Sequence, residues 1–472
     1  MVLEISNSLI VHDPTSSFMA WLNKNYTFDN PEYITRVKLN KWLGGTPKKL
    51  KLYTDTDNLI IIPYGCLREV YGYLKEYDPD LLVSIHLNDK PVDWSGGQFK
   101  LRDYQKEAVK HMLNRKFGIL KAPCSSGKTI MGHALARATG QKTLWLTHTK
   151  ELLNQSKAIG ELIVGSDKVG VITDGKVNIG DTITYATVQT MVKYPMRMFH
   201  REFGCVIVDE NHRCSTKKAS SQFSMVVNNI SAKYKYGLSA TPETFDGYAR
   251  TVLANLGNIE YVIEKDELED NNIVMPVKIK PVYTDWRYPE ESWRENGTLD
   301  FNLAVQYMAC DSERNGKIVD LLQGKPSIIL SNNIDMLCYI MNELSPEQQA
   351  RTCLVSTKHD KDILRANVLC SHTDKARAEY IDMMRDGRLD YMFATYQLAK
   401  EGLNIPRLEQ AIMAFPAVNP NIITQVIGRV ARTCDGKTEA VCYDLVDRPT
   451  YFQKAFKKRL TLYKKQGNEV IL

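Results

Sequence analysis

Twice along the chain, short apolar runs of three to five residues are separated by longer amphipathic stretches, an alternation that few folds can satisfy. The first series has candidate strands at 118–122, 143–147, 182–186, 205–208 and 236–239. The second has them at 327–330, 368–370, 391–394, 411–415 and 440–443, with helical periodicity at 335–344 and 374–386 between them. Strands this apolar need cover on both faces, which helical crossovers in a parallel sheet provide. The fold class expected is therefore α/β, with two parallel-sheet domains in tandem.

The region before them reads differently. Up to Gly97 an apolar run at 59–63, the turn Gly44-Gly45-Thr46-Pro47 and a helical stretch at 67–77 indicate a small α+β module. The patch Trp94-Ser95-Gly96-Gly97 resembles a linker. The expected domains are 1–97, 98–272 and 311–450, about what 472 residues predict. Between them, 273–310 is a connecting segment of no assignable fold, holding Trp286, Tyr288, Pro289 and Trp293 among charges. The tail 451–472 is basic and helical, with Lys454, Lys457, Lys458, Arg459, Lys464 and Lys465.

Composition narrows the function classes. With 43% hydrophobic and 25% charged residues the chain belongs with ordinary soluble globular proteins, not disordered or fibrous ones. Lys plus Arg number 61 against 55 Asp plus Glu, a surplus that permits a polyanionic partner without requiring one. The ten cysteines stand singly, without the C-x-x-C pairs of zinc or redox sites. The start MVLEISNSLIVHD has no export pattern, and no apolar stretch approaches the roughly 18 residues of a membrane span. A cytoplasmic address without membrane association is expected, the host cytoplasm if the chain is phage-encoded.

Two segments carry chemistry. Ala122-Pro-Cys-Ser125-Ser126-Gly127-Lys128-Thr129 follows an apolar run and opens the helical stretch 130–138. Backbone N–H groups of such a loop cradle phosphates, Lys128 would reach the β and γ phosphates, and Thr129 would ligate Mg²⁺. Ala122 occupies the first glycine position of the usual pattern, and a lone G-K-T can also open a helix by chance. Asp209, Glu210, Asn211 and His212 follow the run 205–208. Two carboxylates at a strand's end suit phosphoryl transfer, Asp209 holding Mg²⁺ and Glu210 deprotonating the attacking water; a solvated acidic turn is the bland alternative.

Further segments come in a fixed order. They are Phe99-Lys-Leu-Arg102-Asp-Tyr104-Gln105, LWLTHTKELLNQ at 144–155, Thr187-Val-Gln189-Thr190, Ser239-Ala-Thr241, Ser331-Asn332, Ala394-Thr395-Tyr396 with Glu401-Gly402-Leu403-Asn404-Ile405-Pro406, and Gln425-Val-Ile-Gly428-Arg429-Val-Ala-Arg432. With the phosphate loop and the acidic pair, this set resembles the superfamily 2 helicases and translocases. The resemblance implies two RecA-like domains and ATP hydrolysis, with ATP and Mg²⁺ as cofactors. It implies adenine contacts from Arg102 and Gln105, a nucleotide contact at Gly402, and coupling through Ser239 and Thr241. It implies nucleic-acid contacts from Thr149, Thr187, Gln189, Ser331 and Thr395, and catalytic roles for Gln425 and the arginine fingers Arg429 and Arg432. Three positions depart from the family pattern: Ser125 replaces a common glycine, Asn211 makes the acidic motif D-E-N-H, and Asn404 stands where Asp is frequent.

Residues 30–53 interleave Lys38, Lys41, Lys48, Lys49 and Lys51 with Tyr33, Trp42 and Tyr53. Lysines neutralise backbone phosphates and aromatics stack on unpaired bases; a lysine-rich hairpin edge that resists aggregation fits equally well. The segment resembles the front module of XPB-like helicases and of phage recombination helicases of the UvsW kind, where it binds duplex or damaged DNA. Lys41, Trp42, Lys48 and Lys49 are its candidate contacts; the basic tail reads better as a solvated helix face than as an extension of the same track. The expectation is an ATP-dependent DNA helicase or double-strand translocase that remodels branched DNA, partnered by DNA in duplex, branched or single-stranded form and by recombination or replication proteins. An RNA helicase and the motor subunit of a restriction or repair complex are the alternatives. A non-enzymatic nucleic-acid binder is disfavoured by the intact set of motor residues.

Overall fold

The apolar runs of the first series lie side by side as a parallel sheet. The computed structural model describes residues 1–56, 58–97, 100–214, 222–242, 247–356, 363–371, 373–400, 403–417 and 419–472, with only the backbone of 212, 213, 371, 374, 399 and 400. Phe99, Glu401 and Gly402, named above from the sequence, fall outside the described residues, as does the side chain of His212. The chain divides into two compact units: Met1–Pro123 with Gly127–Ile263, and Glu264–Leu472 with Cys124–Ser126.

Among the described residues, the larger sheet of the first unit runs Lys176–Asn178, Val169–Thr173, Ile183–Thr187, Thr143–Thr147, Cys205–Asp209, Tyr234–Ser239, Phe117–Lys121 and Ile259–Val262. The five runs read from the sequence form its centre. Each is buried along its length because helices cover both faces, with Ile119, Leu144, Leu146, Val206 and Val208 packed against Val252 and Leu256. The outer hairpin was not expected. It turns through Asp174 and Gly175, whose φ values of +51° and +73° suit a two-residue turn.

The amino-terminal module is a five-stranded sheet in the order Thr54–Thr56, Leu59–Pro63, Ser8–His12, Val2–Ile5 and Leu82–Ile85, packed with helices Ser16–Tyr26 and Leu67–Tyr77. The expected boundary at 97 does not isolate it. Its core takes in Phe117 and Ala254 of the following domain, and a Cβ on Gly65 would collide with the backbone at Leu253, Ala254 and Gly257. The patch expected as a linker is also packed: Trp94 is buried, its Nε1 donating to Gln141 O at 3.1 Å. An indole buries too much apolar surface to be left in a free tether.

In the second unit the sheet order is Leu369–Ser371, Thr352–Val355, Tyr391–Ala394, Ser327–Leu330, Gln410–Met413, Val441–Val446, Lys278–Tyr283 and Glu469–Val470. The segment 273–310 is therefore part of this domain, not a connector. It supplies the strand Lys278–Tyr283 and places Trp286, Ala304 and Met308 in the core. Pro281 made this segment unlike a central strand, and it is tolerated because Glu469–Val470 pairs only with Lys278 and Ile279, leaving Pro281 on an open edge. The tail is corrected likewise. Helix Thr450–Lys465 exposes its lysines but buries Phe452, Phe456, Leu462 and Tyr463, while Arg459 forms a buried bidentate pair with Asp444 at 2.8 Å. Among the described residues no helix is long and apolar enough to cross a membrane.

Candidate functional site

Strand register brings together the residues expected from the sequence to meet a nucleotide. Ser239 pairs with Lys121, and Asp209 with Leu238, so three neighbouring parallel strands end level with one another. Ligands of open parallel sheets sit at such carboxyl ends. From the first, Ala122 N donates to Ser239 O at 3.0 Å and the chain turns through the loop into helix Lys128–Thr139. Gly127 caps that helix with φ +82°, and a Cβ there would meet Gln105 Nε2 at 2.5 Å. Gln105 is thus held against the loop, buried, its Oε1 accepting from Arg102 N at 3.0 Å. Arg102 itself is exposed at the start of helix Asp103–Arg115.

Lys128 Nζ donates to Ala122 O at 3.2 Å and Pro123 O at 3.0 Å, so the ammonium lies across the loop it is expected to serve. Thr129 is half-buried beside it. Ser126 is buried, and Ser125 takes φ +69°, a conformation that glycine adopts without steric cost. The departure Ser125 is thereby explained as a tolerated substitution: within the second unit its Oγ donates to Gly428 O at 3.2 Å and accepts from Arg432 Nε at 3.1 Å.

Asp209 ends its strand buried, its Oδ1 accepting from Glu210 N at 3.0 Å. Burial, reinforced by the Glu210 charge, pushes its pKa up, and the Lys128 ammonium pulls it back. Glu210 has φ +52°, a sharp turn out of the strand. Thr129 and Asp209 together offer hard oxygen donors beside a phosphate loop, which fits a hexacoordinate divalent cation such as Mg²⁺ that also keeps water and phosphate ligands. Asn211 is fully buried, and a Cβ on Gly237 would lie 2.7 Å from its Nδ2; the motif's unusual asparagine fits where a glycine faces it. Ser239 is buried with Oγ accepting from Thr241 N at 3.1 Å, and Thr241 is half-buried.

The expected nucleic-acid contacts divide. Gln189 is half-buried, its Nε2 donating to His148 O at 2.8 Å, and Thr149 caps helix Lys150–Val164 by accepting from Leu152 N. Thr395 is half-buried at its strand's end. Thr187 is only 6% exposed, its hydroxyl donating to Thr190 Oγ1, and Ser331 is fully buried, with Oγ accepting from Asn333 N. Both residues are buried. Both hydroxyls are consumed in turning the chain after a strand, a use of Ser and Thr that sequence cannot tell from ligand contact.

In the second unit, Arg429 and Arg432 lie on or just past helix Pro420–Val430 and both donate to Leu403 O, at 2.8 and 3.4 Å; Arg432 also donates to Asn404 Oδ1. The departure Asn404 thus holds a guanidinium in place. Burial lowers the Arg432 pKa to about 10, the neighbouring Arg429 charge adding to the effect. Gln425 is buried one turn earlier, and its Oε1 has no hydrogen-bond partner among the described residues.

On the amino-terminal module, Trp42 is 85% exposed. It is held there: Arg36 Nη1 donates to Trp42 O at 2.8 Å, and the indole packs on the Gly44 turn, where a Cβ would lie 2.5 Å away. Lys38, Lys41, Lys48, Lys49 and Lys51 of the same segment are exposed, with Ile34, Val37 and Leu39 bare on and after helix Pro31–Lys38. Tyr53 is no part of this surface; it is buried, its hydroxyl donating to Asn23 Oδ1. Sequence reading also passed over His133, Tyr185 and Lys235, buried polar residues outside every motif; a lone polar residue in an apolar run was the only available signal.

Comparison with known proteins agrees with this geometry. Residues 98–244 match the family model "Type III restriction enzyme, res subunit", and 313–434 match "Helicase conserved C-terminal domain", together more than half of the chain. The chain is 24% identical over 449 residues to the ATP-dependent DNA helicase uvsW of Enterobacteria phage T4, covering 90% of this chain and 85% of that protein. It is 25% identical over 463 residues to a protein of Acanthamoeba polyphaga mimivirus named provisionally as ATP-dependent RNA helicase L396, covering 92% and 80%. It is 26% identical over 419 residues to the DNA 3'-5' translocase XPB2 of Sulfurisphaera tokodaii, covering 83% and 91%. Among solved structures, the ATP-dependent Type ISP restriction-modification enzyme LlaBIII bound to DNA shares the fold over 75% of this chain and 28% of its own, with a TM-score of 0.55 at 16% identity. With a phosphate loop, an acidic pair and a Q-x-x-G-R-x-x-R helix in two parallel-sheet domains, the chain belongs to the superfamily 2 helicases, as an ATP-driven helicase related to XPB and UvsW enzymes.

Proposed function

We propose that this helicase is a DNA helicase or double-strand translocase that remodels branched DNA. The observation that carries the reading is a motor domain sharing one core with a module that presents an exposed, braced Trp42 and, in the same segment 30–53, five exposed lysines. Such a surface neutralises phosphates and stacks on bases that a branch point leaves unpaired. The names of the phage T4 and Sulfurisphaera relatives support DNA as the substrate.

In this mechanism Gln105 and Arg102 bind the base, and the loop N–H groups with Lys128 hold the phosphates. Thr129 and Asp209 would hold Mg²⁺, which when bound neutralises phosphate charge. Glu210 orients the attacking water and takes its proton. Arg429 and Arg432 supply permanent positive charge for the transferring phosphoryl group, and Gln425 offers its amide beside them. Ser239 and Thr241 register the nucleotide state against the strand-end segments at Thr149 and Gln189.

A second reading, an RNA helicase, is favoured by the name of the mimivirus relative. ATP turnover measured at fixed salt without nucleic acid, and with single-stranded DNA, linear duplex, four-way or forked DNA and RNA, separates the two. Selective stimulation by duplex or branched DNA is expected. Stimulation by RNA alone would transfer the assignment to RNA.

A further inference from the structure

Behind the phosphate loop lies a buried polar chain that the mechanism above does not use. His133, fully buried on helix Lys128–Thr139, has Nδ1 2.7 Å from Thr129 O and Nε2 2.6 Å from the Tyr185 hydroxyl. A carbonyl can only accept, so Nδ1 carries the proton. Nε2 faces the Tyr185 hydroxyl, from which an imidazole protonated at Nδ1 alone accepts. Tyr185 keeps its proton, since burial raises its own pKa well above the ordinary value. The chain then runs from Tyr185 O–H to His133 and from His133 N–H to Thr129 C=O.

The surroundings leave this chain no slack. The imidazole stacks on Trp145 at a centroid distance of 4.4 Å, and Trp145 and Tyr185 face each other across paired strands. A Cβ on Gly132 would lie 2.5 Å from the Trp145 ring, and one on Gly160, in helix Lys150–Val164, would collide with the Tyr185 hydroxyl. Two glycines therefore let two helices close onto the three rings. Thr143–Thr147 and Ile183–Thr187, the strands that carry Trp145 and Tyr185, lead directly to Thr149 and Gln189, and Gln189 ties the two strand ends together through His148. A path of hydrogen bonds, stacked rings and strand backbone thus runs from Thr129 to the segments proposed to meet nucleic acid.

We propose that His133 and Tyr185 are positioning residues for the helicase reaction, tying Thr129 to the strand ends at Thr149 and Gln189 so that nucleic acid bound there sets the phosphate loop for hydrolysis. This rests on the functional reading above for Thr129 and for those strand ends. Because close-packed interiors shift between discrete arrangements and do not deform smoothly, a displacement at one end of such a path is delivered to the other.

The test uses the full chain and branched DNA, with Tyr185→Phe, His133→Asn and the double variant. Tyr185→Phe removes only the hydroxyl. His133→Asn keeps a donor of about the Nδ1 reach for Thr129 O but loses the Tyr185 partner. Each single variant should lower the DNA-stimulated turnover roughly five-fold or more, while DNA-independent turnover, the KM for ATP and the Kd for DNA stay within about two-fold. The double variant should be no worse than the singles, because both break one hydrogen bond. Stimulation equal to wild type, with or without a lowered Tm, would assign the pair a structural role and overturn the proposal; so would losses that multiply in the double variant. A wild-type turnover that no nucleic acid raises would overturn both this proposal and the functional reading, whereas a stimulated wild type with unaffected variants overturns this proposal alone.

Discussion

At the scale of single residues, the site is built from side chains whose neighbours already fix their chemistry. Lys128 lies over its own loop carbonyls, which a phosphate would replace as partners. Lys128→Ala should lower ATP hydrolysis by about two orders of magnitude or more while leaving DNA affinity nearly unchanged, checked by steady-state turnover beside DNA titration. Turnover kept at the wild-type level would remove Lys128 from the phosphate site. Glu210 turns out of its strand with positive φ, next to a buried Asp209. Glu210→Gln keeps the shape but cannot take a proton, so ATP binding should persist with turnover reduced by about 10² or more. Single-turnover kinetics would read this directly.

At the scale of elements, two pieces outside the motor motifs carry distinct work. Helix Pro31–Lys38 and its following loop hold Trp42 clear of the core, so Trp42→Ala should leave folding intact. It should weaken binding to branched or single-stranded DNA by roughly 1–3 kcal/mol, with a smaller effect on blunt duplex; equal affinities by fluorescence anisotropy would remove the stacking role. Helix Thr450–Lys465 is anchored by the buried Arg459–Asp444 pair, to which Tyr463 adds a hydrogen bond at 2.8 Å. Arg459→Leu strands a buried carboxylate and should cost about 3–5 kcal/mol. Replacing Asp444 by leucine as well should recover much of that loss, as urea unfolding of the single and double variants would reveal.

At the scale of the whole molecule, the amino-terminal module and the first parallel-sheet domain are joined by a lysine in the core. Lys235 is fully buried, with Nζ donating to Asn7 O and Val227 O and lying 4.5 Å from the Tyr64 ring centroid. Burial lowers its pKa from 10.5 to about 7. Below pH 7 the folded and unfolded chains both carry the charge, and its desolvation cost is fully present. As pH rises above 7 the folded state releases the proton first, so stability increases until the unfolded chain also titrates near 10.5. Against Lys235→Met, which has no such charge, the wild type should therefore gain relative stability between pH 7 and 10. Urea midpoints at pH 7 and 9.5 measure the gain, and an unchanged difference would show that Lys235 is not titrating in that window. Since the module and the domain share the cluster that includes Phe117 and Ala254, they should unfold together.

Sequence alone determined the two parallel sheets, because strands such as Cys205–Asp209 must be apolar along their whole length to lie between helices, and that requirement is written in consecutive residues. The loop 122–129 and the acidic pair Asp209–Glu210 were legible in sequence for a similar reason: each is a short local stretch recognised by its own spacing. Strands less apolar or broken by proline, such as Lys278–Tyr283, escaped it, since only the shortness of the neighbouring strand makes Pro281 acceptable. The burial of Thr187, Ser331 and Tyr53 escaped it as well, because a hydroxyl or phenol reads the same whether it faces solvent or its own chain. The tertiary structure alone decided that the amino-terminal module shares a core with the motor, that Asn404 holds Arg432, and that His133 and Tyr185 meet. Those contacts join residues tens to hundreds of positions apart, and no periodicity within a segment records which distant partner will fill its space.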